Sequence, residues 1–552
     1  MKSFVHSWSH CAAAVALLVL PLVTTAQEVK PVAVVSIASI EDTLADVGYL
    51  TRAAGQEEVG RTAILFGNAF ANGFDKKKPI GAYVISHGSD FPVVMFVPVK
   101  DLPKILETFK EQLGEPKDAG DGVQEVGLDQ TAFIKEQAGW VFVAKEKEHL
   151  TGLPADPAAL LGSLPKDYNV AARLLANNIP DELKKWAIDE MKVTFERMLE
   201  RGGGGGDVTP EQREAMERAG RNGVNQVARY IEEVEEVTIG LSVDSVSKKS
   251  YFDFSLVAKE GTQLARQFAM NTGLKSKFSG FLMPNAAVTA SFGGKLGPEE
   301  IEQNITMINT AKAQLMKQVD DDPRIAAEQR EPMKDIYNQA IDVVVKTIQS
   351  GKLDGGAALV LEPANISFVA GGYVAEGQSL EAAFKKLVEV KKNDPEFPKA
   401  KLDVATHAGV KFHVLSLPLP EGESEARDFF GPTVDVVLGT SADSAYVAFG
   451  KNSQALIKKV MDQSSTAGEK DALPLQLTVA MLPILKFAQS VDDNPLIPAA
   501  ISTLEKTAND KIQLTSTATA RGSNLRFEVG EGVLQTIGAI VKSLGDGFPG
   551  AL

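Results

Sequence analysis

Residues 237–268 read VTIGLSVDSVSKKSYFDFSLVAKEGTQLARQF, and residues 511–541 read KIQLTSTATARGSNLRFEVGEGVLQTIGAIV. Both alternate apolar and polar residues, turn through a polar segment and alternate again. Both then pass through Glu-Gly (Glu260-Gly261, Glu531-Gly532) into an apolar helical run. Period-two alternation marks a strand, and an i, i+3, i+4 rhythm marks a helix. One strand–turn–strand–helix phrase written twice points to a duplicated chain.

Working outward, further matches keep the same order. Apolar strands open both halves at residues 32–37 and 286–292. Phe70-Ala71-Asn72-Gly73 answers Ile348-Gln349-Ser350-Gly351, with each glycine placed to stop a helix. Strands at 81–85 and 93–97 match strands at 357–361 and 366–374. Leu102, Ile105, Leu106 and Phe109 take the places of Leu380, Ala383, Phe384 and Leu387, all on one helical face. Trp140 to Lys145 then matches Tyr446 to Lys451. The expectation is an α+β fold with two tandem copies of one domain, residues 27–282 and 283–552. Each copy is expected to be a mainly antiparallel curved sheet with helices packed on one face. Copy one carries extra chain, expected to be a helical hairpin over about 188–234 with a glycine tract at 202–206. A phosphate loop would need a preceding strand and a following Gly-Lys-Ser/Thr, which this tract lacks, so it reads as a connector.

Of the 552 residues, 44% are apolar and 23% charged, the balance of a globular protein. A net charge of −15 repels phosphate backbones, so no nucleic-acid partner is expected. Lys76-Lys77-Lys78, Lys385-Lys386 and Lys391-Lys392 read as solvated faces. Residues 1–26 read as a signal peptide: Lys2, an apolar run from Ala12 to Val23 broken by Pro21, and small residues Thr24-Thr25-Ala26 before Gln27. Cleavage there would remove Cys11, the only cysteine, and with it any disulfide, thiol nucleophile or thiolate metal site. The expected product is periplasmic or secreted, with no transmembrane segment after cleavage.

Beyond the leader the histidines are His87, His149, His407 and His413. His407 and His413 would share a face of an unbroken strand, but Gly409 interrupts it, and zinc would need ligands converging from elsewhere. Ser86-His87-Gly88-Ser89-Asp90 reads as a turn, since a catalytic relay needs side chains from separate elements. Asp320-Asp321-Asp322 and Asp492-Asp493-Asn494 precede prolines and read as helix-ending turns rather than calcium loops. Asp118-Ala119-Gly120-Asp121-Gly122 reads as a turn before a strand. Asn304-Ile305-Thr306 and Asn365-Ile366-Ser367 match the glycan acceptor pattern and are taken as chance. No catalytic, cofactor-binding or metal-ligating residue is assigned, and no cofactor is expected.

Leu164-Pro165-Lys166-Asp167-Tyr168-Asn169-Val170, Ile179-Pro180-Asp181-Glu182-Leu183 and the stretch from Phe278 to Ala287 carry a family likeness. The chain resembles a group of uncharacterised large exported proteins of planctomycete-type bacteria. That resemblance implies export and repeated α+β domains, and it brings no functional position. The expected function is an exported, non-enzymatic binding or cell-envelope-associated protein of unknown ligand, with an apolar ligand as one option. The alternative is an extracytoplasmic hydrolase with a carboxylate-based site at an interdomain cleft.

Overall fold

The fold is that of a computed structural model, which describes residues 29–546 except 89, 128–130, 201–209, 364 and 508. The expected signal peptide and the glycine tract at 202–206 lie outside the described residues. Two compact units are present. The first takes in the chain up to Thr43 together with Phe66–Pro180, the second Leu44–Leu65 together with the chain from Asp181 onward.

In the first unit the strands are β1 (Pro31–Ile37), β2 (Ile80–Ile85), β3 (Val93–Pro98), β4 (Lys117–Gly120), β5 (Val123–Gly127), β6 (Thr131–Gln137), β7 (Trp140–Ala144) and β8 (Val170–Leu175). All pair antiparallel, in the order β4-β5-β6-β7-β3-β2-β1-β8. In the second unit come β9 (Val234–Asp244), β10 (Lys249–Ala258), the two-residue β11 (Lys275–Ser276), β12 (Val288–Lys295), β13 (Lys352–Glu362), β14 (Asn365–Tyr373), β15 (Lys399–His407) and β16 (Val410–Pro418). They are followed by β17 (Thr433–Thr440), β18 (Ser444–Gly450), the two-residue β19 (Lys470–Asp471), β20 (Leu475–Ala480), β21 (Lys511–Ala518) and β22 (Gly522–Gly530). Apart from the small β11–β19 ladder, their antiparallel order is β15-β16-β17-β18-β14-β13-β12-β20-β21-β22-β10-β9.

The run from β15 to β20 repeats the order and connectivity of the run from β4 to β8. The compact units nevertheless divide at 180/181 rather than at 282/283. Hairpin β9–β10 sits in the second unit because β10 pairs along its length with β22, from Lys249↔Gly530 to Val257↔Gly522. Inside that seam Asp253 is 2% exposed and accepts two hydrogen bonds from Arg526, Nε to Oδ1 at 2.8 Å and NH2 to Oδ2 at 2.7 Å.

Helices were expected on one face of each sheet, and here the structure corrects the sequence reading, since both faces are covered. In β7, Trp140 and Phe142 enter a core with Val34, Phe96, Leu161 and Leu164. Val141 points the other way, into a cluster with Val99, Leu102 and Ile105. In β16, Phe412 packs with Ile457 and Val460 of the helix Ser453–Ala467. His413, the next residue, faces Phe384 of the helix Gly377–Lys391, with ring centroids 5.6 Å apart. The physical reason is parity: an uninterrupted run such as Trp140-Val141-Phe142-Val143-Ala144 sends apolar side chains to both faces, and each must be covered. The expected insertion is a pair of helices, Asp181–Glu200 and Pro210–Glu233, with the Phe195 ring seated on Gly220.

Candidate functional site

An open apolar surface of the first unit follows from strand parity. Met95 of β3 lies opposite Val143 of β7, which lies opposite Ile134 of β6. Alternate residues share a face, so Val93, Met95, Val143, Ile134 and Ala132 form one apolar floor. Part of that floor is capped by the helices Leu102–Thr108 and Lys110–Leu113, whose Leu102, Ile105 and Leu113 pack over Val141 and Ile134. Past the end of these helices no described residue covers the floor: Val93 is 49% and Met95 48% exposed. The result is a groove of about 920 Å³, floored by Val93, Met95, Ala132 and Val143 and rimmed by Glu111, Gln112 and Lys145. Lys145 has no ion-pair partner among the described residues. Ligand sites of this size, mostly apolar with a few polar groups at the edge, are the usual form of a small-molecule pocket.

A second constellation lies in the second unit, where a bulge shapes β15. The tight hairpin at Ala408-Gly409, both with positive φ, sets the pairs His407↔Val410 and Ala405↔Phe412. Register then slips before Lys401↔Val414, so residues 402–404 stand opposite His413 alone. Asp403 takes a left-handed backbone, φ 50°, and donates its N–H to Nδ1 of His413 at 3.1 Å. From the helix Gly377–Lys391, Glu381 brings a carboxylate that Lys385 meets at 2.7 Å and Lys411 at 3.3 Å. Lys385 also bridges to Asp403 at 2.9 Å. Burial pushes the Glu381 carboxyl up, but the hydrogen bonds from Lys385 and Lys411 outweigh it and leave the group below the usual carboxylate range. The hydrogen bond from Lys385 holds Asp403 low as well. Burial drives the His413 imidazole below its ordinary value.

Glu381, Asp403 and His413 are metal-ligand types within reach of one another. The protonation pattern argues against a metal centre. Because His413 Nδ1 accepts the Asp403 N–H, the neutral ring carries its proton on Nε2, the atom that faces Glu381 at 4.0 Å. A ligating Nε2 must be bare, with Nδ1–H donating outward. The place between the two carboxylates is also taken by the Lys385 ammonium. The cluster is therefore an ion network that fastens helix to strand.

The other residues singled out in the sequence stay apart. His87 and Asp90 close a turn through their backbones, at 2.9 and 3.1 Å. His407 Nε2 lies 2.6 Å from Asp462, away from the ring of His413. Asp322 is held by Arg324 and Asp320 by Lys334, at the end of the helix Pro298–Asp321. Asp492 accepts the N–H of Asn494, and Asp118 that of Gly120. Lys386, Lys391 and Lys392 pair with Asp335, Asp394 and Glu389. Lys385 departs from the solvated-face reading, because Asp403 reaches it only through the β15 bulge. The groove was missed as well. Its signal was the apolar parity of 93, 95 and 143, which reads as core unless the length of the covering helix is known.

No helix among the described residues is long and apolar enough to cross a membrane. No family model, curated protein or solved structure matches the chain.

Proposed function

We propose that this chain is a non-enzymatic binding protein for an amphipathic ligand, with an acyl-type body on the floor of the Val93–Met95–Val143 groove and an anionic head at Lys145. The bare apolar floor is the observation that carries the reading. Each methylene removed from water there would contribute about 0.8 kcal/mol, and Lys145 is a cation with no ion-pair partner among the described residues. A working place outside the cytoplasm, after cleavage near residue 26, and an origin by tandem duplication belong to the same proposal. The shared strand order of β4 to β8 and β15 to β20 supports the duplication.

The hydrolase alternative requires two carboxylates facing a cavity with no basic partner. The buried carboxylates among the described residues are all engaged: Asp253 by Arg526, Glu381 by two lysines, and Asp354 by Ser276 at 2.5 Å with Lys352 at 3.8 Å. That favours binding over catalysis.

Native mass spectrometry of the full-length protein, followed by titration with a fluorescent fatty acid, tests the reading. Expected are a co-purified lipid-sized adduct and saturable binding that Met95→Asp abolishes and Lys145→Glu weakens about tenfold, the scale of a lost charge-assisted contact. Clean apo protein with no saturable titration would overturn it.

A further inference from the structure

A different pocket opens in the second unit where β18 gives way to the helix Ser453–Ala467. Gly450-Lys451-Asn452-Ser453 makes the connection. Gly450 has φ +104°, and a Cβ there would collide with the carbonyl oxygen of Ile366, so the loop is pressed against β14. The Lys451 carbonyl accepts the Ser367 hydroxyl at 3.0 Å, which pins the loop a second time. Asn452 then takes a left-handed backbone, φ 65°, and its side chain makes no cap. Asparagine is among the best capping residues, and here its side chain does not serve the helix. The first helical acceptor is filled by Leu456 N–H on Asn452 O at 3.0 Å. The N–H groups of residues 453–455 are left without intrahelical partners, at the positive end of a fifteen-residue helix.

An independent observation points to a ligand. Ser453 is only 4% exposed and lines the pocket, yet its hydroxyl has no hydrogen-bond partner among the described residues. Lys451 is exposed and has no ion-pair partner among them either. The pocket measures about 340 Å³. Beside the helix end the lining includes Val414, Phe430 and Val437 together with the polar Thr433. One charge of the other sign is present: Asp435, whose Oδ1 accepts the Ser416 hydroxyl at 2.6 Å.

We propose that this pocket binds a small apolar carboxylic acid. The carboxylate would sit on the open helix N-terminus between the Ser453 hydroxyl and the Lys451 ammonium, where backbone donors and the helix dipole favour an anion. The apolar body would lie against Val414, Val437 and Phe430. Asp435 leaves the lining with one acid against one lysine, so charge alone gives weak binding and the apolar contact must add to it. Inorganic sulfate has no apolar body and is therefore expected to bind more weakly, although it suits a bare helix N-terminus.

Calorimetric titration of the full-length protein at low ionic strength tests this, with phenylacetate, benzoate and sulfate as probes, none of which has an acyl chain for the groove of the first unit. Phenylacetate or benzoate is expected to bind saturably with one site per chain, and sulfate to bind more weakly. Lys451→Gln should weaken carboxylate binding about tenfold, and Ser453→Ala several-fold. Asp435→Asn should tighten it, and sulfate binding with it. Met95→Asp, in the groove of the other unit, should leave it unchanged. Lys451 is exposed, so its replacement tests binding without touching the core, and a melting curve checks that the variant is folded. The assignment is overturned if neither carboxylate binds, if Lys451→Gln binds like wild type, if wild type takes sulfate as tightly, or if Met95→Asp abolishes the signal.

Discussion

His413 shows how one proton decides what a cluster is. Its Nδ1 takes the Asp403 N–H, so the ring is built into the fold as the neutral Nε2–H tautomer, and Nε2 has no hydrogen-bond partner. Protonation would place a second hydrogen on Nδ1, facing another donor. Lys385 and Lys411 oppose the added charge, while Glu381 and Asp403 favour it, and burial is the largest influence of all. With the folded pKa held below the unfolded value of about 6.5, the unfolded chain binds more protons on the acid side. The contribution of His413 is thus complete above about pH 6.5 and is lost as pH falls from there through the lowered folded value. Urea unfolding between pH 8 and pH 5 should show wild type losing stability toward acid, and His413→Leu should show a shallower decline. Equal slopes would refute the buried neutral ring. None of this was legible in the sequence. His413 and Glu381 were visible as residue types, but the bulge that turns the Asp403 backbone toward the ring follows from a register slip that no local pattern announces.

At the scale of elements, the strands were the most legible part. The alternation in 237–268 and 511–541 gave both hairpins, and the helix stripes gave the faces they bury. What stayed hidden was which edge meets which. The pairing of β10 with β22 depends on partners 273 residues apart, and on Asp253 reaching Arg526 across the seam. Removing one partner of a buried pair leaves a stranded charge, at a typical cost of about 3–5 kcal/mol. Arg526→Met should lower unfolding free energy by about that much in denaturant titration, and the Asp253→Leu, Arg526→Met double replacement should recover most of the loss. A single variant as stable as wild type would show the pair to be incidental. Packing across β13 makes a second test. A Cβ on Gly356 would come within 2.8 Å of both Phe281 Cβ and the Ala290 carbonyl oxygen. Gly356→Ala should therefore destabilise by about 1–3 kcal/mol, the usual cost of overpacking. In the sequence this glycine stood just before the strand read at 357–361 and drew no notice, because the ring that covers it comes from a segment 75 residues away.

For the molecule as a whole, each unit carries its own buried clusters, centred on Phe96 and Phe142 in one and on Phe412 and Ile457 in the other. Scanning calorimetry of the intact chain should resolve more than one transition, and Gly356→Ala should move only the one belonging to the second unit. A single transition with matching calorimetric and van't Hoff enthalpies would contradict this. The outer strand β15 shows how the second unit guards its rim: Lys399 and Lys401 lie along it, and the bulge at 402–404 interrupts its ladder, both known defences against stray pairing. Strand β10 carries Lys249 only at its start, and its apolar middle is open while it waits for its partner. During synthesis, at roughly 5–20 residues per second, the ribosome needs on the order of 15–50 s after finishing β10 to deliver β22. Throughout that interval Phe252 and Phe254 stand on an unzipped seam, so the nascent chain should need a chaperone most urgently in the second half of its translation.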